Sequence, residues 1–396
     1  MYNERLGNVL YVSGEYPPTI GGVGDHARLL REHIELAGVS TYLMTSTKSF
    51  RKHPENVLAI AKNWGYREVY KVAAIAKNTN ATIIHIHYQS GAFDLHPAIN
   101  ILPRILRMSG RHFRIVTTFH DLSLPYIFPK AGKLRELSVN RMLTDSHGVI
   151  FVSPEDASKA GRDVCLSVNM PNEDPRGFSS LIPVGPTVNN VHRLLDKRTV
   201  KKRFGIAEHS FVIGYVGFQQ RNKGIDVFNR SLQLVRDLPG ENVVMLIGAS
   251  SPRSKGSSVD DFQGVFPPSN WSVVETGQAS HNEMSLALAA CDVCVLPFSE
   301  GLSLRRGSFM NAISHGLPVI TTQPSSDLPS VTNGVNVVFV PRDAADPIAR
   351  SIMELHGDIN KRANIGVGAF QLSEVYSWKN NAKRTLQLYE KVVECS

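Results

Sequence analysis

Apolar and polar positions alternate along this chain with two periods. Short runs that are apolar throughout and rich in β-branched residues predict strands buried on both faces. Between them, apolar residues recur every three or four positions, the spacing of helices with one buried face. In the first half the runs predict strands at Val9–Ser13, Thr41–Thr45, Thr82–His87, Ile115–His120 and Val149–Ser153. Helices are predicted over Gly24–Ala37, Arg67–Asn78, Pro97–Met108 and Lys133–Asp145. Residues 166–180 are polar, contain two prolines and read as a surface loop. Leu181–Val184 reads as a short strand that leads into a hinge at GPTVNN. A second alternation follows. Its strands are Phe211–Gly217, Val243–Gly248, Ser272–Thr276, Val293–Pro297, Val319–Thr321 and Val335–Val340. Its helices include Ile225–Val235, His281–Ala290, Arg306–His315 and Pro347–Leu355. Ala382, Leu386, Tyr389 and Val393 give the last helix, Ser377–Glu394, one apolar face.

This order of elements predicts an α/β chain with two parallel sheets covered by helices. A length of 396 residues exceeds what one core usually supports. The expected division is 1–187, 188–376 and a terminal helix at 377–396. Open parallel sheets bind ligands at the carboxyl ends of their strands. Two such units joined by a hinge are expected to hold a ligand in a cleft, so chemistry is to be sought just after strands.

Composition narrows the classes. At 42% apolar and 20% charged residues the chain reads as an ordinary soluble protein. No stretch approaches the ~18 apolar residues of a membrane span. The start, MYNERLGN, lacks the apolar region of a signal peptide, so a cytoplasmic location is expected. The four cysteines form no disulfide framework. Cys291 and Cys294 have the gap of a zinc half-site but no second pair, and read as core. A net charge of +8 suits a polyanion such as a diphosphate, or an anionic membrane surface. There is no long basic run, and nucleic acid is not an expected partner.

Four segments carry candidate chemistry. Gly21-Gly22-Val23-Gly24 follows the first strand and opens a helix, whose N-terminal N–H groups can meet anionic oxygens. The same cluster can be only a tight turn. Thr118-Phe119-His120-Asp121 ends the fourth strand, and His85 and His87 end the third. His85 and His87 share one face of their strand. No neighbouring carboxylate completes a ligand set, and no metal is expected. Gly217-Phe218-Gln219-Gln220-Arg221-Asn222-Lys223-Gly224 brings cations into a strand-to-helix turn. Lys223 can neutralise a phosphate and Arg221 can grip it with two hydrogen bonds; a solvated loop is the alternative. Ser299-Glu300-Gly301-Leu302-Ser303-Leu304-Arg305-Arg306-Gly307-Ser308 combines a carboxylate, a glycine turn and two arginines ahead of a helix. Glu300 can accept from sugar hydroxyls or cap the helix, and the arginines with the helix terminus can hold a diphosphate.

In this order the four segments resemble family 4 of the glycosyltransferases. IPVGPTVNN, TGQASHNEMSLALAACDVCVLPF, HGLPVITT and VYSWKNNAKRTLQLYEKV carry the same resemblance, which covers nearly the whole chain. It implies a GT-B fold, with two Rossmann-like doubly wound domains facing across a cleft. The terminal helix would cross back to the first domain. The implied reaction is transfer of a sugar from a nucleotide-sugar donor to a hydroxyl acceptor, with retention and without a metal or other cofactor. Gly21 and Gly22 would approach the donor phosphates, and His120 would face the donor sugar. Lys223, with Arg221, would bind the diphosphate. Glu300 would hold sugar hydroxyls near the N–H groups of Leu302, Ser303, Leu304 and Arg305.

Two positions depart from the family pattern. Phe218 stands where an arginine is common, and Ser308 where a second glutamate usually holds the ribose. Both leave open a non-catalytic nucleotide- or sugar-binding protein, and a nucleotide-sugar epimerase is a further rival. No carboxylate pair calls for a covalent intermediate. No Asp-any-Asp triplet is present, in keeping with a metal-independent site. The acceptor is expected to be a sugar or a lipid-linked sugar. Residues 97–114 carry Arg104, Arg107, Arg111 and Arg114 among apolar residues. They read as an ordinary surface helix or as a peripheral contact with the inner membrane face.

Overall fold

Parallel strands covered on both faces are apolar along most of their length, and the central strands of both sheets follow that rule. The computed structural model describes residues 6–19, 21–49, 54–109, 113–122, 133–162, 172–174, 177–217, 219, 223–248 and 265–394. The chain forms two compact units, Met1–Val184 with Trp378–Ser396, and Gly185–Ser377.

The first unit contains β1 (Asn8–Ser13), β2 (Thr41–Ser46), β3 (Val57–Ala61), β4 (Ala81–Tyr88), β5 (Arg114–Phe119), β6 (Gly148–Phe151), β7 (Asn172–Asp174) and β8 (Gly177–Leu181). Their order in the sheet is β3-β2-β1-β4-β5-β6-β8-β7. All neighbours run parallel except β7 and β8, which are antiparallel. One face packs on helices Tyr66–Asn78 and Leu102–Met108 around Trp64, Phe93, Leu106 and Phe119. The other packs on helix Gly22–Leu36, whose Val23, Ala27, Leu30 and Ile34 form its buried stripe. Helix Trp378–Glu394 joins that second face through Trp378, Ala382, Leu386 and Tyr389. The Tyr389 hydroxyl lies 2.6 Å from His85 Nδ1 and donates to the Tyr11 hydroxyl at 3.1 Å. Asn381 Nδ2 donates to the Pro183 carbonyl at 2.8 Å.

The second unit contains β9 (Phe211–Val216), β10 (Asn242–Ile247), β11 (Ser272–Glu275), β12 (Val293–Leu296), β13 (Val319–Thr322) and β14 (Val338–Val340). Their order is β11-β10-β9-β12-β13-β14, all parallel. The central strands β9, β10, β12 and β13 are buried at every residue, whereas the edge strand β11 is largely exposed. Helix His281–Ala290 starts on a capping box in which Ser280 and Glu283 satisfy each other's backbone N–H. Cys291 and Cys294 are buried free thiols at the start of β12. Cys165 and Cys395 lie outside the described residues.

Several elements differ from the pattern reading. Within the segment read as a loop over 166–180, the described residues form β7 and most of β8. β8 pairs with β6 from Gly148↔Phe178 to Phe151↔Leu181, so Leu181 ends the strand expected to start there. Gly177, Ser179 and Ser180 give that stretch no apolar run, and its partner is remote in sequence. The helix expected over Pro97–Met108 is a 3-10 segment, Pro97–Ile101, followed by an α-helix, Leu102–Met108. Pro103 lacks the N–H that a continuous helix needs and instead sits in the first turn of the second piece. Helices Pro154–Lys159, Lys197–Arg203 and Ile359–Val375, and strand β3, are additions. Among the described residues, no helix is long and apolar enough to cross a membrane.

One buried ion pair ties helix Lys197–Arg203 to the second sheet. Asp292 accepts from Lys201 Nζ at 2.9 Å, from Lys197 Nζ at 3.2 Å and from the Val212 N–H at 2.9 Å. Burial raises the Asp292 carboxyl, but Lys197, Lys201 and that N–H outweigh it and hold the group below its ordinary range. Its stabilising contribution is therefore present above the unfolded carboxyl pKa and lost as pH falls through the lowered native value. Asp292→Ala strands the Lys201 ammonium and is expected to cost roughly 3–5 kcal/mol. Urea unfolding of the full chain, followed through the second unit, measures it; a loss below about 1 kcal/mol would show the pair is dispensable.

Candidate functional site

The order of the second sheet reverses between β9 and β12, the place where open α/β sheets receive ligands. The loops after these two strands contain Lys223 and Glu300. Gly224 holds them together. Its φ of +70° is in the left-handed region, and a Cβ there would stand 1.8 Å from the Pro297 carbonyl oxygen. Only glycine permits that approach of backbone to backbone.

Lys223 consequently sits over the Phe298 ring, its Nζ 5.7 Å from the centroid. The Arg306 guanidinium lies over the same ring at 4.8 Å. Burial and the nearby Arg306 pull the Lys223 ammonium down to about 8, with Glu300 opposing and Arg305 adding to the shift. Arg306 Nη2 donates to Glu300 Oε2 at 3.0 Å, and Arg305 Nη2 is 3.6 Å from the same oxygen. Glu300 therefore does not cap the helix; Arg306 is the N-cap residue of Gly307–Ser314. The Glu300 side chain is 67% exposed. Three cations thus surround one aromatic ring and one carboxylate at the start of a helix, an arrangement suited to an anion.

Gly301, at φ +88°, packs its Cα against the Gln323 carbonyl, leaving 2.3 Å for a Cβ. The Leu302 N–H is committed to the Thr322 carbonyl at 3.1 Å, so it does not serve as a ligand donor here. The Leu302 and Leu304 side chains are buried, and Ser303 accepts the Arg306 N–H on its carbonyl. Ser308 is half-buried in the first turn of the following helix. Arg221 and Phe218 lie outside the described residues.

In the first unit the sheet order reverses between β1 and β4. The Gly21–Gly24 segment follows β1. Its helix terminus already holds an anion: Glu15 Oε1 accepts from the Val23 N–H at 3.1 Å and the Gly24 N–H at 3.2 Å. Glu15 had no place among the sequence-predicted residues. The signal available was a carboxylate six residues ahead of the glycines, which the pattern of apolar runs does not register. Burial raises the Glu15 carboxyl, while the two N–H groups counter the shift. Gly21 is extended at φ −178°, and a Cβ there would stand 2.0 Å from Glu15 Oε1, so a larger residue would have to displace the Glu15 carboxylate. A Cβ at Gly22 would meet nothing within 4 Å, so Gly22 leaves an open approach.

His120 follows β5 and is 8% exposed. Its Nε2 is 3.3 Å from His87 Nδ1, and its ring meets His26 edge-on at 4.6 Å. Burial pushes His120 down to about 4, with Asp121 opposing, so it is neutral at pH 7. His26, on helix Gly22–Leu36, was not anticipated. It lies on the helix face that also carries Val23 and Leu30, and reads from sequence as one more interior position. His85 is fully partnered by Tyr389 and by Thr118 Oγ1, the latter at 2.7 Å. Of the arginines read as belonging to an ordinary surface helix or to a membrane contact, Arg104 and Arg107 contact Asp145, through its carboxylate at 3.5 Å and its carbonyl at 2.7 Å. Arg114 begins β5, and Arg111 lies outside the described residues.

Residues 210–358 match the family model described as Glycosyl transferases group 1. The match lies within the second unit, which is similar to that family over those residues. A D-inositol 3-phosphate glycosyltransferase of Kribbella flavida is 25% identical over 214 residues, which cover 50% of this chain and 48% of that protein. The chain thus spans about half the length of the curated relatives it matches. Among solved structures, a sucrose-phosphate synthase from Thermosynechococcus elongatus superposes with a TM-score of 0.72 at 18% identity, covering 98% of this chain and 100% of that one. Anabaena HepE in complex with UDP-glucose superposes at 0.65 and 15% identity, covering 96% and 98%. The fold is α/β of the GT-B type, with two Rossmann-like parallel-sheet units.

If the contact of Gly224 with Pro297 places Lys223, a methyl group at that position must displace it. Gly224→Ala is expected to lower the melting temperature and to weaken inorganic pyrophosphate binding at least about tenfold, or 1.4 kcal/mol. Isothermal titration at neutral pH measures the second effect. Unchanged affinity in a folded variant would remove Lys223 placement as the role of this glycine.

Proposed function

We propose that this protein transfers a sugar from a nucleotide-sugar donor to a hydroxyl of a glycan, glycolipid or small glycoside. The observation that carries the proposal is the gathering of Lys223, Arg305 and Arg306 around Phe298 and Glu300 at the sheet reversal of the second unit. Cations fixed in advance at a departing diphosphate stabilise the charge that develops as the glycosidic bond breaks. In this reading Lys223 and the arginines meet the diphosphate, and Glu300 accepts from sugar hydroxyls. A neutral His120 is available to hydrogen-bond a sugar hydroxyl. Gly22 leaves an open approach for the donor, and Ser308 stands at the ribose position. The proton of the acceptor leaves on a donor phosphate oxygen and configuration is retained, without a protein nucleophile. Trapping a covalent sugar on any residue would overturn that last step.

Because side chains supply the charge, transfer is proposed to need no added divalent metal. UDP is the first nucleotide to try, since HepE was solved with UDP-glucose. GDP and ADP complete the screen, with and without magnesium. Stabilisation by one nucleotide, independent of magnesium and lost in Lys223→Ala, supports the donor site. Lys223→Ala is also expected to reduce turnover about 10²–10³-fold, the usual cost of removing one such donor. A nucleotide that binds without turnover of any sugar donor would favour the rival reading, a binding protein marked by Ser308.

The pH dependence carries a sign of its own. Lys223 is held down to about 8, so the free fold disfavours its charge. Free-protein stability should therefore rise as pH passes above about 8, where the native state sheds a proton that the unfolded state keeps. Nucleoside diphosphate affinity should move the opposite way and fall through the same range. Affinity that is flat with pH in wild type, or that falls equally in Lys223→Ala, would separate Lys223 from the phosphates.

A further inference from the structure

Buried histidines normally pair both ring nitrogens, because an unpaired buried polar atom is costly. His85 does so, through Tyr389 and Thr118. Two residues along the same strand, His87 behaves differently. It is fully buried, yet its Nε2 has no hydrogen-bond partner among the described residues. His26, 4% exposed, likewise leaves Nδ1 without one. Both rings converge on His120, and one ring nitrogen from each of the three lies within 4.8 Å of the other two.

That bound contains the spacing a metal imposes, with His87 ligating through Nδ1, the nitrogen beside His120, and its unpartnered Nε2 left as the N–H. Zinc–nitrogen bonds of about 2.0–2.1 Å at tetrahedral angles separate ligand nitrogens by about 3.4 Å. His87 Nδ1 and His120 Nε2 are 3.3 Å apart. The three residues come from a helix, the end of β4 and the residue after β5, so rigid elements hold all of them. Aromatic rings wall the cluster: Tyr11 stacks on His87 at 5.5 Å, and Trp378 meets His26 edge-on at 4.9 Å. Three imidazoles without a carboxylate favour zinc, cobalt, nickel or copper over magnesium or calcium.

We infer that His26, His87 and His120 form a three-histidine site for a divalent transition metal of the zinc class, within the first unit and separate from the cations proposed to hold the diphosphate. The inference does not depend on the proposed transfer activity. It has a consequence for it: a metal on His120 takes up a nitrogen that would otherwise meet a sugar hydroxyl, so bound zinc is expected to inhibit transfer.

Full-length protein stripped with a chelator and dialysed provides the test, with Co²⁺ and Zn²⁺ themselves as probes. One equivalent of Co²⁺ should give the visible absorption of a four- or five-coordinate ion, and Zn²⁺ should displace it. Zinc-edge absorption spectroscopy of the wild-type protein should show three imidazole nitrogens at about 2.0–2.1 Å. That measurement needs no variant. His26→Gln and His87→Gln, checked for folding by circular dichroism, should each weaken Co²⁺ binding at least about tenfold. The inference is overturned if wild type binds neither ion, if the absorption spectrum shows fewer than three imidazoles, or if folded His26→Gln binds Co²⁺ as wild type does. These readouts require no sugar transfer, so failure of the proposed activity leaves them interpretable.

Discussion

The chemistry of the second unit depends on one contact between backbones, that of Gly224 with the carbonyl of Pro297. Parallel strands β9 and β12 are neighbours in space but far apart in the chain, so their following loops meet only if both strand ends are stripped of bulk. Gly224 does this after β9. Within β9, Gly214 leaves room for the Cys291 thiol, whose Sγ would stand 2.8 Å from a Cβ there. With Gly224 in place, Lys223 of one loop shares the Phe298 ring with Arg306 of the other. Burial, and then repulsion from Arg306, depress the Lys223 ammonium there. An anion that bound both would relieve that repulsion.

Much of this was legible in the residue pattern because buried parallel strands write themselves as unbroken apolar runs. Phe211–Val216, Asn242–Ile247 and Val293–Leu296 fall within a residue or so of the predicted strands. The helix His281–Ala290 has both predicted ends, since Ser280 and Glu283 mark its start and buried Cys291 follows its last turn. Placing Lys223 and Glu300 after strands was enough to group them, because topology brings the ends of β9 and β12 together whatever the loops contain. β8 was not legible for the converse reason. Its Gly177, Ser179 and Ser180 carry no apolar signal, and its place in the sheet comes from pairing with β6.

The N-terminal glycine cluster shows a second limit. Sequence supports an anion at the helix terminus, and the structure supplies one from the chain itself, in Glu15. Gly21 then has a steric reason that involves no ligand, whereas Gly22 has none and keeps its open approach. The histidines divide in the same manner. Alternation along β4 puts His85 and His87 on one face, yet only His85 is closed off by partners, and they come from β5 and the C-terminal helix. His26 enters from a third element. Clusters of this kind are set by tertiary packing, and residue spacing within one element carries no trace of them.

Ser308 acquires a physical meaning from the charges around it. Lys223, Arg305 and Arg306 outnumber Glu300, leaving two positive charges near the start of helix Gly307–Ser314 while Lys223 is protonated. That excess matches the two negative charges of a nucleotide-sugar diphosphate. A glutamate at position 308, as the family pattern would have it, would lower the excess to one and stand in the first helical turn. Serine keeps the full positive field and offers a hydroxyl of shorter reach. If the site holds a nucleotide-sugar donor as proposed, binding energy would shift from the nucleoside toward the phosphates. The arginine pair and the serine are thus two parts of one change in how the donor would be held.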